Sequence, residues 1–417
     1  MIGGLGASLL LPAMQSLIHG NFAGAAQKRV YALVGASAAI AAAVGPLLGG
    51  FITTFLSWRV AFLLEALIIA VVLSGIKLVR DVPFVGSRSL DLFGSLLSIV
   101  GMGGIVLGIL VWQEGGESVA ALLAVGAIGL GGLIYWFVRR KRQGEATLLD
   151  PDLFQSKAFR FGATGQMLQQ VALGGTMIVL PIYLQMLLGY NAMQAGLSIA
   201  PLSLTMFAVA MLAGKRAVAQ RPASLIRWGF LLLIVGLVVL VPIVPLADSG
   251  WWLLLPLIIA GCGLGLLVSQ LSNYTLSPIS DERVSEAASV NSASGSFGLS
   301  LGLAFAGGIM LASLSSIFIG MATSSTVLAP EQQQVSQSLE QDAQVMSDEQ
   351  LEDLLAGQTE EVSNEIIRIN TDARPLALQI ALLVPILAGL AGLFTSFRMI
   401  RLPDPKPSGA GEDAILG

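Results

Sequence analysis

Residues 41–50 read AAAVGPLLGG, near the far end of an apolar segment that runs from about Val30 to Phe51 and carries no charge between Tyr31 and Ser57. A proline inside such a segment removes a backbone donor and bends the helix, while Gly45, Gly49 and Gly50 leave one flank without side chains. The stretch predicts a kinked membrane helix, bent at Pro46, that a neighbouring helix can approach closely.

Composition extends this reading to the whole chain. Of its 417 residues 55% are hydrophobic and 12% charged, and the mean hydropathy is +0.80; soluble domains carry about 25% charged residues. Long apolar runs recur from end to end, each able to cross a core of about 30 Å, which takes roughly 20 helical residues at about 1.5 Å each. The sequence therefore predicts an all-α fold, a polytopic transmembrane helix bundle, and the run length excludes a β-barrel. A single cysteine, Cys262, excludes a disulfide framework, and a single histidine, His19, excludes a His-based zinc site. No metal or other cofactor is expected, and no enzymatic activity. Gly214-Lys215 lacks both the upstream glycine spacing and the following Ser or Thr of a phosphate loop, so ATP-driven chemistry has no support.

Eleven helices are predicted, at about 2–18, 30–51, 60–79, 92–112, 119–138, 161–184, 195–212, 228–244, 251–269, 287–314 and 376–397. The connections alternate in charge: 19 of the 22 Lys and Arg fall on one side, leaving Arg59, Arg368 and Arg374 on the other. By the positive-inside rule the first side is cytoplasmic, together with the C-terminus. All six tryptophans (58, 112, 136, 228, 251 and 252) fall at predicted helix ends, as an interfacial belt requires. The segment from Glu331 to Asp372 stands apart with eleven acids and one Arg, a net charge of −10. It reads as an outward-facing domain of short amphipathic helices, with Ser347 and Gln350 as a capping box and Gly357 closing the turn. Its role is either that of a solvated loop or that of a cation-attracting vestibule.

Gly45-Pro46-x-x-Gly49-Gly50, in a polytopic chain, resembles the fifth-helix antiporter motif of the major facilitator superfamily, with Ala41 where the motif has a further glycine. Gly4-Leu5-Gly6-Ala7 with Pro12 is similar to the end of the fourth-helix motif of the 14-span drug:proton branch. Trp58-Arg59 with Phe62 is similar to the start of its sixth helix. Leu180–Gly189, LPIYLQMLLG, followed by Ala195-Gly196 and Pro201, is similar to its ninth and tenth helices. The resemblance implies inverted repeats rocking about a central site. It also implies an organisation in which 1–90 hold family helices four to six, 91–142 an inserted helix pair, and 143–314 five helices of the C-terminal bundle. Residues 315–374 would then be the acidic outer loop, 375–400 the last helix and 401–417 a cytoplasmic tail. On that mapping the first three family helices are lacking, and a fragment or a misplaced start is the expectation.

Ionisable groups inside spans are costly and therefore functional candidates, and Glu65 is the clear one. It lies six residues past Arg59, roughly 240° around the helix, so the two cannot pair within one helix. A carboxyl that exchanges protons inside a span is what a proton carrier needs; the competing reading is a carboxyl at the outer interface reaching water or a neighbouring helix. The resemblance more often places Asn here, so Glu65 departs from it. Gln166, Gln169 and Gln170 recur at helical spacing with Leu173 and Met177 along one face. Such a face suits either a cavity for amphiphilic molecules or hydrogen bonding between helices. Gln270 and Asn291 lie near cytoplasmic helix ends, where water alone could satisfy them. Gly261, Gly263 and Gly265, and the pair Gly298 and Gly302, read as close helix packing rather than nucleotide binding.

The function these features imply is proton-driven export of small amphiphilic or cationic compounds, multidrug efflux, across a bacterial cytoplasmic membrane. Its partners would be membrane lipid, a small-molecule substrate and protons, with no nucleic acid. Two alternatives stand beside it: a non-transporting membrane interaction or sensory protein, and an uptake symporter. Labelling of single-cysteine variants in a Cys262-free background is expected to find 331–372 reactive from outside and Arg139–Arg142 positions reactive only from inside. The opposite pattern would invert the topology.

Overall fold

The computed structural model describes residues 47–78, 91–113, 116, 118–145, 151–216, 221–276, 278–279, 283–325, 327, 355 and 359–402, and the single positions 6, 10, 14, 17, 21, 30, 41, 44 and 45. Among the described residues every regular element is helical, and nine helices are long and apolar enough to cross a membrane. The helices expected over 2–18 and 30–51 fall mainly outside the described residues, as do Pro46 and the cap expected at Ser347, Gln350 and Gly357; residues 47–55 are helical.

The elements that follow are α1 (Trp58–Ser74), α2 (Leu92–Gln113), α3 (Val119–Arg142), α4 (Lys157–Met186), α5 (Ala192–Arg216), α6 (Pro222–Ile243), α7 (Leu254–Leu276), α8 (Val284–Ser324), α9 (Glu360–Ala381) and α10 (Leu383–Ile400). Short 3-10 turns at Ile76–Leu78, Pro151–Gln155 and Gly250–Leu253 join them. Helix α6 starts six residues earlier than the apolar pattern suggests, because Pro222 occupies its first turn, where a missing backbone donor costs nothing.

Helix α4 is the hub of the C-terminal bundle. It runs along α8 and α10 and touches α7, while α7 also packs on α5 and α6, and α10 on α6. Tyr183, Phe230, Leu237, Leu257 and Leu264 are wholly buried where these helices meet. The glycines of α7 explain how one helix serves two neighbours. Residues i and i+4 share a face and i+2 lies opposite: a Cβ on Gly261 or Gly265 would meet Leu202 O at 2.5 Å or Met206 O at 2.6 Å on α5, and one on Gly263 would meet Gly229 O at 2.5 Å on α6. These glycines are packing surfaces, as expected.

Helix α8 spans 41 residues, about 60 Å and twice the hydrocarbon core, so one end must leave the membrane. The acidic segment is not only short helices: α9 begins at Glu360 and leads, through a turn at Leu382, into α10. Its apolar residues Val362, Ile366 and Ile369 are spaced to one face and are buried with Phe318 and Ala322 of α8. Acidity along the rest of the helix hid this stripe in the sequence. In this projecting part Arg368 binds Glu365 (2.8 and 2.9 Å) and Ser325 donates to the same carboxylate (2.7 Å). Those bonds, Arg368 first, hold the Glu365 carboxyl down to about 2. A carboxyl lowered in this way contributes stability above its ordinary range near 4 and loses it only as pH falls toward 2.

Helices α2 and α3 pair with each other, and α2 also rests on α8. One end of the pair is tied by Asp91, which is 3% exposed. Its carboxylate caps α2 by accepting from Gly94 N (2.8 Å), and accepts from Trp136 Nε1 (3.0 Å) and Arg140 Nη1 (3.1 Å) on α3. Asp91→Ala removes the cap and takes an acceptor from the half-buried Trp136 and Arg140, the latter still paired with Glu145 at 3.1 Å, so it is expected to destabilise the protein by about 1–3 kcal/mol. Thermal unfolding in detergent reads this, with Asp91→Asn expected to fall between the variant and wild type; equal unfolding temperatures for all three would show that the contact holds nothing together.

Candidate functional site

Helix α4 starts at Ser156, whose Oγ accepts from Phe159 N (3.3 Å), and its amides follow two to four turns later. What brings them to a neighbour is backbone contact. Gly298 and Gly302 of α8 lie directly against the carbonyls of Met167 and Val171, and a Cβ on Gly174 would meet Leu299 O at 2.5 Å. The crossing leaves Gln166 and Gln170 beside Gly295 of α8, at 3.4 Å and 3.6 Å from where a Cβ would stand. Gln169, on the adjoining face, is 0% exposed, and neither of its amide atoms has a hydrogen-bond partner among the described residues.

Two further amides join this band. Asn291, one turn before Gly295, donates to Ser272 Oγ on α7 (3.4 Å), and Gln270 on α7 donates to Ser269 Oγ (3.3 Å). Both are buried, and Asn291 Oδ1, Gln270 Oε1 and Gln170 Oε1 have no partner among the described residues. Their positions near helix ends pointed to water; the crossing of α4, α7 and α8 removes them from it instead. The sequence cue that would have found them is the polar run Ser269, Gln270, Ser272 and Asn273 inside an otherwise apolar helix. Met177 continues the α4 face, half-buried against the bundle core. Buried polar groups are nearly always hydrogen-bonded, and each one left without a partner costs about 1–3 kcal/mol. The band offers uncharged donors and acceptors; it can orient a ligand, but no group in it carries a proton on and off.

Glu65 sits elsewhere. It is exposed on α1, which buries none of its own residues, and Arg59 lies over the Trp58 ring at 4.7 Å. Of the glycines at the motif, Gly45 and Gly49 face open space among the described residues, whereas Gly50 is buried. A Cβ on Gly50 would meet Ala192 O at 2.5 Å and Met193 Cα at 2.8 Å, and Thr54 Oγ1 accepts from Met193 N (3.1 Å). Gly50 and Thr54 thus join the N-terminal part of the chain to the start of α5, at the outward side of the predicted topology. The structure does not bring Glu65 and the amide band into one site. Arg374, counted in the sequence only as a charge on one side, is buried on α9 and donates to Met186 O (3.4 Å), where a cation complements the carbonyl end of α4.

The chain is similar to several bacterial proteins. It is 30% identical to the lincomycin resistance protein LmrB of Listeria monocytogenes over 57% of this chain and 50% of that protein. It is 24% identical to a Streptomyces coelicolor protein named for actinorhodin transport over 75% of this chain and 56% of that protein. It is 27% identical to MdtD of Yersinia pestis, which carries a multidrug resistance name, over 63% of this chain and 56% of that protein. The chain thus spans about half the length of the curated relatives it matches. The family model described as Major Facilitator Superfamily matches residues 1–303. With that match over most of its length and an all-helical, multiply spanning fold, the chain belongs to the major facilitator superfamily.

Proposed function

We propose that this protein is a proton-coupled secondary transporter of the 14-span drug:proton branch, exporting small amphiphilic or cationic compounds across a bacterial cytoplasmic membrane with its C-terminus inside. The observation that carries the reading is the buried amide band of α4, α7 and α8, with Gln169 fully enclosed and unpartnered. Amides in an apolar wall accept varied ligands, because they offer donors and acceptors without demanding a fixed charge, while Met177 adapts its shape. The names of the relatives, which refer to lincomycin, actinorhodin and multidrug resistance, support a small-molecule substrate. In this scheme Gln166, Gln169 and Gln170 orient the substrate, Gly50 with its motif partners Gly45, Pro46 and Gly49 closes the outward side, and Glu65 exchanges the proton.

The full-length transporter reconstituted in vesicles is expected to move a fluorescent lipophilic cation only when a pH gradient is imposed; movement independent of the gradient would remove proton coupling. Glu65→Gln is expected to abolish the gradient dependence while cation binding persists, since the amide keeps the shape and cannot ionise. An unchanged dependence would return Glu65 to a structural part.

Gln169→Leu separates recognition from packing. It removes an unsatisfied amide, so thermal stability is expected to rise by about 1–3 kcal/mol. Binding of the cation is expected to weaken about tenfold, equivalent to about 1.4 kcal/mol. Raised stability with unchanged binding would take Gln169 out of the substrate site.

A further inference from the structure

Trp251, 80% exposed, forms a ridge between two clefts at the outer end of the C-terminal bundle. One cleft, of about 390 Å³, is lined by Tyr190, Gln194, Leu197, Ser198, Pro201 and Leu254. The other, of about 430 Å³, is lined by Val239 and Ile243 of α6 with Trp252, Leu255 and Pro256. Both open sideways. Gln194, Leu197, Leu204 and Leu212 form one exposed stripe along α5, and that stripe points away from the face of α5 that meets α7 through Leu202 and Met206. A side opening at the level of paired tryptophans is an opening to the outer leaflet near its interface with water.

The two clefts differ in chemistry. The second presents only apolar and aromatic walls. The first also holds polar groups whose remaining capacity is set by the bonds they already make. Tyr190 OH accepts from Gly250 N (2.9 Å), which leaves its own hydrogen to donate. Gln194 Oε1 accepts from Asn191 N (3.0 Å), which leaves its NH₂. Ser198 Oγ donates to Gln194 O (2.9 Å) and keeps lone pairs to accept. Stretches 190–201 and 248–256 contain no Lys or Arg and one acid, Asp248, whose carboxylate takes the Trp252 indole N–H (2.9 Å).

We propose that a zwitterionic, amine-bearing diacyl phospholipid of the outer leaflet sits astride Trp251, one acyl chain in each cleft. Two apolar clefts that share one wall match two chains on one glycerol; a single-chain amphiphile would need only one. The donors of Tyr190 and Gln194 suit ester carbonyl oxygens at the interface, and both line the first cleft. Asp248, the one charge of the lining stretches, favours a headgroup with an ammonium and disfavours an anionic one. Seating a lipid here braces the loop before α7 against the start of α5, the element to which Gly50 docks. The site is independent of the transported substrate.

The test uses the purified full chain with dioleoyl phosphatidylethanolamine or dioleoyl phosphatidylglycerol, counting retained lipid by native mass spectrometry. Wild type is expected to keep one phosphatidylethanolamine with about tenfold preference over phosphatidylglycerol. Leu197→Trp and Val239→Trp, each filling one cleft from the lipid side, are each expected to lower retention about tenfold, and Asp248→Asn to abolish the preference between lipids. Unchanged retention in either filling variant overturns the two-chain seating. A second measurement needs no variant: a phosphatidylethanolamine with a photoactivatable group on each chain is expected to label both Leu254 and the 239–243 stretch in membranes. Labelling of one cleft only, or labelling spread evenly to Leu204 and Leu212, overturns the proposal.

Discussion

Inside a bilayer the helices of a bundle gain little from excluding apolar surface, since lipid is as apolar as they are; close contact holds them together. The crossing of α4 and α8 is the contact on which the rest depends. Gly298 and Gly302 admit the carbonyls of Met167 and Val171, so the two backbones touch. At that separation the side chains between the helices have nowhere to reach but each other, and the amides of α4, α7 and α8 become buried together. The same absence of Cβ atoms that secures the packing thus creates the polar band. A Gly298 or Gly302 replaced by any larger residue would push the helices apart and readmit solvent or lipid to Gln166 and Gln170.

A second layer of contacts positions this bundle against its surroundings. Gly50 and Thr54 tie the N-terminal part of the chain to the first residues of α5, where a helix start offers free backbone donors and Thr54 satisfies one of them. Asp91 ties α2 to α3, and α2 leans on α8, so this pair reaches the polar band through the helix that carries Asn291. Elsewhere Arg374 meets the carbonyl end of α4 and the buried stripe of α9 lies on α8. Helix α8, which carries Asn291, is therefore held by α2 as well as by α9. These grips are charged or polar at their ends and apolar between, which suits segments that start in water and cross lipid.

How much of this was legible in the sequence follows from the range of each interaction. The spans among the described residues, the all-helical class and the packing role of Gly261, Gly263, Gly265, Gly298 and Gly302 are local matters of hydropathy and side-chain size, and the sequence alone determined them. So too was the amide face of α4, because residues three and four apart share a face whatever the fold around them. Burial was not legible. Gln270 and Asn291 sit near helix ends where a linear reading assigns water, and only the crossing of three helices removes it from them. Asp91 and Arg140 lie 49 positions apart and meet because α2 and α3 run antiparallel. The stripe of α9 was masked by the acids beside it until α8 proved long enough to reach it. Tertiary structure alone decided which polar groups lose their water, because that depends on which helix arrives opposite, and a span's own sequence does not specify its neighbour.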